Sequence, residues 1–477
     1  MKLGNLLKDV TTINSNFDKD INVFSISINT KKTQSGSLFI CLKGENFDGH
    51  NLKQIAQQNG AVAFVVEEYD NNFNGIQIVV KSTRAALSQI AKNFYNPNKR
   101  LKVIGITGTN GKTTTTYIIA NILKCAGKKV GIIGTQGVSF NGITIKNNMT
   151  TPDPIDLFRY LSLMSKEKVE YVVMEVSAHA IYYNKIDAID FYAKGLTNIT
   201  EDHLDFFKTI SEYSKQKINY IMQGKCKKVV NIAQEYGVKI ALSNKKVITY
   251  KMKQPADIFC SETNNDFSTY CLNVMGNNIC FKTKLIGKYN VENAMLAAGI
   301  TKTIGIDNQH IEQGIETFCG VEGRMNIYKN GNKTVIIDFA HTPDAIENVL
   351  KTISEFKPNK LISIFGCGGN RDPQKRKLMG NIASKFSDMV YITNDNPRME
   401  NPNHIAKDIA SGIKKENFQI ILERGLAIKT AIQKMQDGDI VALLGKGAED
   451  YMEIGETKHP YSDKSEVQKW GFKEWST

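Results

Sequence analysis

Tryptophan and proline are scarce in this chain, with 2 and 10 among 477 residues, and no apolar run approaches the ~18–20 residues that cross a bilayer. A membrane-spanning helix is therefore not expected. The eight cysteines, at positions 41, 125, 226, 260, 271, 280, 319 and 367, include no C-x-x-C pair. Their scatter is that of buried cytosolic cysteines and indicates neither a disulfide framework nor a zinc site. Met1 to Asp9 carries charge too early for a signal peptide, so a cytoplasmic protein without membrane insertion is expected. Acidic residues are in deficit, 48 against 61 Lys plus Arg, for a formal net charge of +13. Such a field attracts polyanions. Yet the densest cluster, Lys375-Arg376-Lys377, is short, and no run of five or more basic residues forms an arm. That argues against nucleic acid and favours a small polyanionic substrate. Low-complexity tracts and internal repeats are also missing, and 41% hydrophobic with 23% charged residues is neither a disordered nor a fibrous composition.

At roughly 100–200 residues per domain, the length suggests about three domains. Ser37–Leu42 and Ala61–Val66 read as short strands, and Asn96-Pro97-Asn98 marks a boundary because Asn-Pro disfavours helix. Beyond it, Val103–Ile106, Val130–Ile133, Tyr171–Val176 and Gly195–Ile199 read as buried strands, with a helix over Lys112–Ala126 ended by Gly127. Phe267–Val274 and Asn278–Leu285 alternate, so residues 253–284 are expected to form a small antiparallel insertion. Past Arg324 the alternation resumes. Strands are predicted at Val335–Phe339, Leu361–Phe365, Met389–Thr393, Phe418–Leu422 and Ile440–Leu444. Helices are predicted at Asp344–Phe356, Pro373–Phe386, His404–Lys414 and Leu426–Met435. Strands alternating with helices imply mainly parallel sheets, an α/β chain with a second doubly wound domain at its C-terminus.

The sharpest local signal is Gly105-Ile106-Thr107-Gly108-Thr109-Asn110-Gly111-Lys112-Thr113, between a predicted strand and a predicted helix. Glycines let backbone N–H groups approach phosphates, the helix N-terminus favours negative charge, Lys112 reaches the β/γ-phosphates, and the Thr113 hydroxyl suits Mg²⁺. The strict pattern wants Gly at position 106 and finds Ile106, so this is a variant phosphate loop. Two further strands end in polar groups, where α/β sheets bind ligands. One is Tyr171–Glu175, followed by Val176-Ser177-Ala178-His179. The other leads into Asn198-Ile199-Thr200-Glu201-Asp202-His203-Leu204-Asp205. Taken singly, each of these residues would be an ordinary loop residue.

Together these motifs resemble the ATP-dependent Mur ligases of peptidoglycan synthesis. Thr107–Thr113 is similar to their P-loop, Glu175–His179 to E-V-S-S-H, and Asn198–Asp205 to N-x-x-x-D-H-L-D. Gly287-Lys288-Tyr289-Asn290-Val291-Glu292-Asn293 resembles G-x-F-N-x-x-N, Gly323-Arg324-Met325 resembles G-R-M, and Asp338–Pro343 resembles D-Y-A-H-T-P. Within the family the likeness is to the MurE type, which adds the third amino acid. Its T-T-P, D-N-P-R and G-K-G-H-E are similar to Thr150-Thr151-Pro152, Asp395–Arg398 and Gly445–Glu449. Its UDP-binding segments resemble Ser37–Gly44 and Asp48–His50. The chain departs from the family pattern in three segments: Asn29-Thr30-Lys31 stands for D-S-R, Lys185 for an Arg, and Ala448 for a His.

The resemblance implies three α/β domains: a small N-terminal UDP-muropeptide-binding domain (1–98), a central P-loop ATPase-like parallel-sheet domain (99–322) and a C-terminal Rossmann-like amino-acid-binding domain (323–477). It implies that meso-diaminopimelate is joined to UDP-N-acetylmuramoyl-L-alanyl-D-glutamate through an acyl phosphate, with ATP and Mg²⁺. ATP contacts would be Gly108, Thr109, Asn110, Gly111, Lys112, Thr113, Thr114, Asn293, Arg324, Asp338 and His341. Lys112, Glu175, His203 and Lys217 would be catalytic, and Thr113, Glu175, His203 and a carbamate on Lys217 would hold metal. The muropeptide would meet Thr30, Thr150, Thr151, Ser177 and Lys185. The amino acid would meet Asp395, Asn396, Arg398, Gly445 and Glu449, with Arg398 pairing its distal carboxylate and Glu449 its distal ammonium. Lys215, two positions from Lys217, is a rival for the carbamate. His341 suits a loop-ordering hydrogen bond better than an acid or base role and is read as nucleotide-proximal only. A monomer acting on small molecules is expected. The alternatives are ligation of L-lysine, a folylpolyglutamate synthase, which the first ~97 residues and Asp395–Arg398 disfavour, and a P-loop ATPase or binding module without ligase chemistry.

Overall fold

Ser37–Ile40 and Ala61–Val66 are buried along nearly their whole length, as parallel strands covered on both faces must be. With Ser25–Ser27 and Gln77–Val79 they make a four-stranded, all-parallel sheet. The computed structural model describes residues 1–475 other than 45, 46, 148 and 266. The chain divides into two compact units, one of residues 1–107, 126–195 and 219–228, the other of 108–125, 196–218 and 229–477.

The first unit holds this sheet and a second set of strands in the order Phe191–Leu196, Lys102–Thr107, Tyr171–Glu175, Val130–Gly134, Gly137–Phe140, Ile143–Ile145. Lys102–Thr107, Tyr171–Glu175 and Val130–Gly134 pair in parallel, and the last two strands turn back antiparallel. Helix Thr83–Tyr95, capped by the Ser82 hydroxyl and ended by Asn96 in the left-handed region, packs on helix Pro154–Lys166.

The second unit carries helix Lys112–Cys125 against helices Lys288–Thr303 and Asn308–Glu316, and strands Lys227–Asn231, Ile248–Tyr250, Ile258–Thr263, Thr269–Val274 and Asn277–Lys282 in that spatial order. The last two strands form the expected antiparallel piece. Their turn, Met275-Gly276, has positive φ at both residues, the geometry of a tight primed hairpin. That turn sets Cys271 directly opposite Cys280, and the two form a disulfide with Cα atoms 4.0 Å apart. The expectation of no disulfide is thereby corrected. So is that of buried free cysteines: Cys41 and Cys367 are buried, but Cys125, Cys226 and Cys260 are partly exposed and Cys319 is exposed.

Also in the second unit, seven strands run in the order Phe418–Ile420, Met389–Ile392, Leu361–Phe365, Ile440–Leu444, Lys333–Asp338, Asn326–Asn330, Lys473–Glu474. The first five are parallel and the last two antiparallel. Successive residues of Lys333–Asp338 feed opposite faces: Ile336 joins a core with Ile346, Leu350 and Met379, and Val335 and Ile337 join one with Ala427, Ile428 and Val467. Helices therefore cover both faces, the expected doubly wound arrangement. The carboxyl ends of Lys333–Asp338, Leu361–Phe365, Met389–Ile392 and Ile440–Leu444 lead directly into Phe339–His341, Gly366–Gly369, Asp395–Arg398 and Gly445–Glu449, at the edge where such sheets bind ligands.

Several predicted elements move by one to three residues at an end, and two shift further. The strand expected at Gly195–Ile199 ends at Leu196, because the polar groups of Thr197 and Asn198 leave the ladder for the phosphate loop. The helix expected at His404–Lys414 is Pro402–Ala410. Asn401 caps it from one side with Pro402 in its first turn. Beyond its end, Gly412 approaches so closely that a Cβ there would stand 1.9 Å from the Lys377 carbonyl.

Candidate active site

Residues 108–111 are held from beneath by the segment after Leu196. The Asn110 N–H donates to Asn198 Oδ1 at 2.9 Å, the Thr197 hydroxyl donates to the Asn110 carbonyl at 2.7 Å, and the Thr109 N–H donates to the Asn198 carbonyl at 2.9 Å. Gly111, at φ +83°, leaves no room for a side chain, since a Cβ would meet Asn293 Oδ1 at 2.3 Å. Lys112 Nζ folds back on the carbonyls of Gly108 (3.0 Å) and Thr109 (2.8 Å). The Arg324 guanidinium reaches the Thr113 hydroxyl at 3.3 Å.

Lys217 Nζ donates to the same Gly108 carbonyl at 2.8 Å and lies 4.6 Å from the Tyr213 ring centre. Its side chain is buried. Burial, then the nearby Lys112 charge, hold its pKa well below the lysine range, with Asp202 opposing. Lys215, the rival two positions away, is exposed. His203 sits in the left-handed region at φ 57°, with Nε2 3.3 Å from Asp202 Oδ2. Lys375 Nζ stands 3.8 Å from the other oxygen of that carboxylate. Burial pushes Asp202 up, but His203, Lys375, His341 and Lys112 together hold it below the usual carboxylate range.

A cavity of about 460 Å³ opens beside this loop, a volume suited to a small-molecule ligand. Asn110, Gly111, Thr114, Asn293, Arg324, Asp338 and His341 are among its lining residues. Asp338 accepts the backbone N–H groups of Met325 (2.9 Å) and Ala340 (2.7 Å), and burial raises its pKa. The His341 Nδ1–H donates to the Phe339 carbonyl at 2.8 Å, the loop-ordering bond considered for it, and burial lowers its pKa. Asn110 Nδ2 donates to Asp344 Oδ2 at 2.8 Å.

The residues expected around the muropeptide fall in the first unit. Glu175 is fully buried and accepts the Thr135 N–H at 2.8 Å and its hydroxyl at 3.2 Å. The Thr135 and Thr150 hydroxyls are 3.1 Å apart. The Thr151 hydroxyl donates to the Glu175 carbonyl at 2.9 Å and accepts the Ser177 N–H at 3.0 Å. Ser177 caps helix Ala178–Tyr182. Lys185 Nζ pairs with Asp153 at 2.7 Å. Thr30 begins a separate 3₁₀ turn, Thr30–Lys32, capped by Asn29, and its carbonyl accepts from Asn59 at 2.9 Å.

The amino-acid set is drawn together in the second unit. Asn396 Nδ2 donates to Glu449 at 2.9 Å, and the buried Lys446 ammonium donates to Asn396 Oδ1 (3.1 Å) and to Glu449 (3.0 Å). Gly445, at φ +104°, brings bare backbone against Asp395, whose Oδ2 a Cβ would meet at 2.8 Å. Arg398 has a left-handed backbone, φ 51°, a strained conformation for a non-glycine residue that concentrates at functional sites. Its Nε donates to Glu453 at 2.8 Å and its Nη1 to the Gly369 carbonyl at 2.9 Å. Asn198, Asp344, Lys375, Lys446 and Glu453 were given no role by sequence reasoning. Asn198 and Lys446 stand inside quoted motifs, but Asp344, Lys375 and Glu453 reach their partners only through tertiary folding.

Three family models match the chain: Mur ligase family, catalytic domain, over residues 22–95; Mur ligase middle domain over 106–301; and Mur ligase, glutamate ligase domain, over 323–447. Among curated relatives, the UDP-N-acetylmuramoyl-L-alanyl-D-glutamate–2,6-diaminopimelate ligase of Clostridioides difficile (strain 630) is 39% identical over 475 residues, covering 97% of this chain and 98% of that protein. The protein of the same name from Aquifex aeolicus (strain VF5) is 40% identical over 450 residues, covering 94% and 93%. A solved structure of a ligase of that name superposes with a TM-score of 0.70 at 28% identity, covering 98% of each chain.

Proposed function

Because the chain belongs to the Mur ligase family, we infer that it is the ATP-dependent ligase that adds meso-diaminopimelate to UDP-N-acetylmuramoyl-L-alanyl-D-glutamate in peptidoglycan precursor synthesis. The observation that carries the amino-acid assignment is the set Asn396, Arg398, Lys446 and Glu449 at the carboxyl edge of the C-terminal sheet, with Glu449 paired to Lys446 and Arg398 to Glu453. It offers a guanidinium for a distal carboxylate and a carboxylate for a distal ammonium.

In this reaction a γ-carboxylate oxygen of the D-glutamyl residue attacks the ATP γ-phosphorus, the bond to the β-phosphate oxygen breaks, and ADP leaves. The α-amine of the amino acid then attacks the acyl carbon of the acyl phosphate. Phosphate departs with the bonding pair, and the amine loses a proton as the amide forms. The obstacle is bringing one anion to another, so cations placed where charge converges are the main resource. Lys112 exchanges its two loop carbonyls for the phosphates. Arg324, already on the Thr113 hydroxyl, faces the same cavity. His341, its Nδ1–H committed to Phe339, lines the same cavity, and burial lowers its pKa.

The Thr113 hydroxyl in the second unit is a hard oxygen donor that suits Mg²⁺, and the His203 imidazole, a softer nitrogen donor, is the further ligand that the resemblance implies there. Among the described residues no group of three or more His, Cys, Asp or Glu could hold a metal ion, and Mg²⁺ at such sites is commonly bound through one or two protein ligands plus substrate phosphates. When bound, it would neutralise phosphate charge. The resemblance also gives ligand roles to a carbamate on Lys217 and to Glu175. The test is phosphate release from ATP, expected only when UDP-dipeptide and meso-diaminopimelate are both present. Release without either substrate would contradict the reading.

A further inference from the structure

We infer that Glu453 is the positioning residue that aims Arg398 at the distal carboxylate of the incoming amino acid, an assignment that rests on the ligase reading above. A guanidinium carries five N–H donors in a rigid plane. In Arg398 two of them are occupied on different nitrogens, Nε by Glu453 Oε2 at 2.8 Å and Nη1 by the Gly369 carbonyl at 2.9 Å. Anchors on two nitrogens fix the plane as well as the position of the charge. Among the described residues, Nη2 makes no hydrogen bond, so both its hydrogens and one on Nη1 stay available for a ligand. The side chain is 23% exposed, open enough to be reached.

The backbone makes the same connection. The Arg398 N–H donates to the Glu453 carbonyl at 3.0 Å, and the Arg398 carbonyl accepts the Gly455 N–H at 2.9 Å. Hairpin Tyr451–Ile454/Thr457–Pro460 is thereby stitched to the 395–398 loop, with Arg398 bridged to Ile454. Asn396 closes the network: its Oδ1 accepts both Lys446 Nζ and the Glu453 N–H, while its Nδ2 holds Glu449. Glu449 and Glu453 thus hang from one amide, one facing the expected ammonium and the other steadying the expected carboxylate partner. Glu453 also neutralises Arg398 before any ligand arrives. The guanidinium is therefore not stranded when an amino acid lacking the distal carboxylate enters, and selectivity must come from the added attraction of a correctly aimed fork.

The test compares Glu453→Ala and Glu453→Gln with wild type in steady-state ligation, using meso-diaminopimelate and L-lysine, with thermal unfolding to verify the fold. Glu453→Ala should raise KM for meso-diaminopimelate tenfold or more, leave kcat within about threefold, leave KM for ATP unchanged and narrow the preference over L-lysine. Glu453→Gln, whose amide oxygen still accepts from Nε, should stay within about threefold of wild type. In an Arg398→Ala background, Glu453→Ala should add nothing further. A KM at or below wild type for Glu453→Ala, equal damage from Glu453→Gln, or additive effects in the double variant would each overturn the assignment. Should Glu453→Ala not fold, Glu453→Ser, too short to reach Nε, replaces it with the same expectation. A wild type inert towards meso-diaminopimelate would defeat the underlying reading. An active wild type with an unaffected Glu453→Ala defeats only the role of Glu453.

Discussion

Replacing Lys217 by alanine separates a structural lysine from a chemical one. The side chain is buried, donates to the Gly108 carbonyl at 2.8 Å and lies over Tyr213. Truncation removes three buried methylenes at ~0.8 kcal/mol each. Gly108 keeps its bond from Lys112 at 3.0 Å, so its carbonyl is not orphaned. Removal of a desolvated amine offsets part of the loss, and a net destabilisation of about 1–2 kcal/mol is expected. That is a few degrees in thermal midpoint, and the variant remains folded. Activity should fall far more, by roughly 10²–10³ or beyond, as when a preorganised group at developing charge is lost. Short carboxylic acids should restore part of it by standing in for the carbamate. The assay is ligation rate with and without added acid, beside thermal unfolding, with Lys215→Ala as control. Lys215 is exposed, so its removal should change stability by less than about 0.5 kcal/mol and leave turnover intact. A folded, active Lys217→Ala, or an inactive Lys215→Ala, would refute the reasoning.

Lys112→Ala should abolish ligation with little change in thermal midpoint, because its ammonium, on the Gly108 and Thr109 carbonyls, is proposed to meet phosphate and is not part of the core; near-wild-type turnover would show that the phosphate-loop assignment is wrong. Arg398→Ala should cost about 2–5 kcal/mol of preference for meso-diaminopimelate, read as the ratio of kcat/KM values for the two amino acids. Arg376 grips Glu400 through two bonds of 2.6 and 2.7 Å, which holds the Glu400 carboxyl below its ordinary range. This stabilisation is complete above pH 4.5, the unperturbed value, and is lost as pH falls through the depressed one. Glu400→Gln should therefore be less stable than wild type at pH 7 by about 1–3 kcal/mol, and the two unfolding midpoints should converge on acidification.

The alternation of strand and helix was legible because buried parallel strands read as continuous apolar runs: Leu361–Phe365 and Ile440–Leu444 were placed to the residue. The strand–loop–helix around Gly108–Gly111 was legible because its signal is local. Most of what escaped depends on contacts distant in sequence. The strand expected through Ile199 stops short because Thr197 and Asn198 hold Asn110, and no periodicity marks a residue that serves another loop. Lys473–Glu474 is a strand only because Asn326–Asn330 is there to pair with it. The Cys271–Cys280 bond follows from hairpin register, which the cysteine spacing alone does not reveal. At the site, Arg398 and Glu449 were marked by motif. Their stitching through Asn396, Lys446 and Glu453 depends on the exposed hairpin Tyr451–Ile454/Thr457–Pro460, whose composition announces nothing.

The most direct measurement is mass analysis of the product formed from UDP-N-acetylmuramoyl-L-alanyl-D-glutamate and ATP, with meso-diaminopimelate and L-lysine competing at equal concentration. A UDP-tripeptide carrying meso-diaminopimelate, formed with stoichiometric ADP and phosphate, is the expected result. A product carrying lysine in comparable amount would contradict the amino-acid assignment, and ATP consumed with no new amide would contradict the ligase itself.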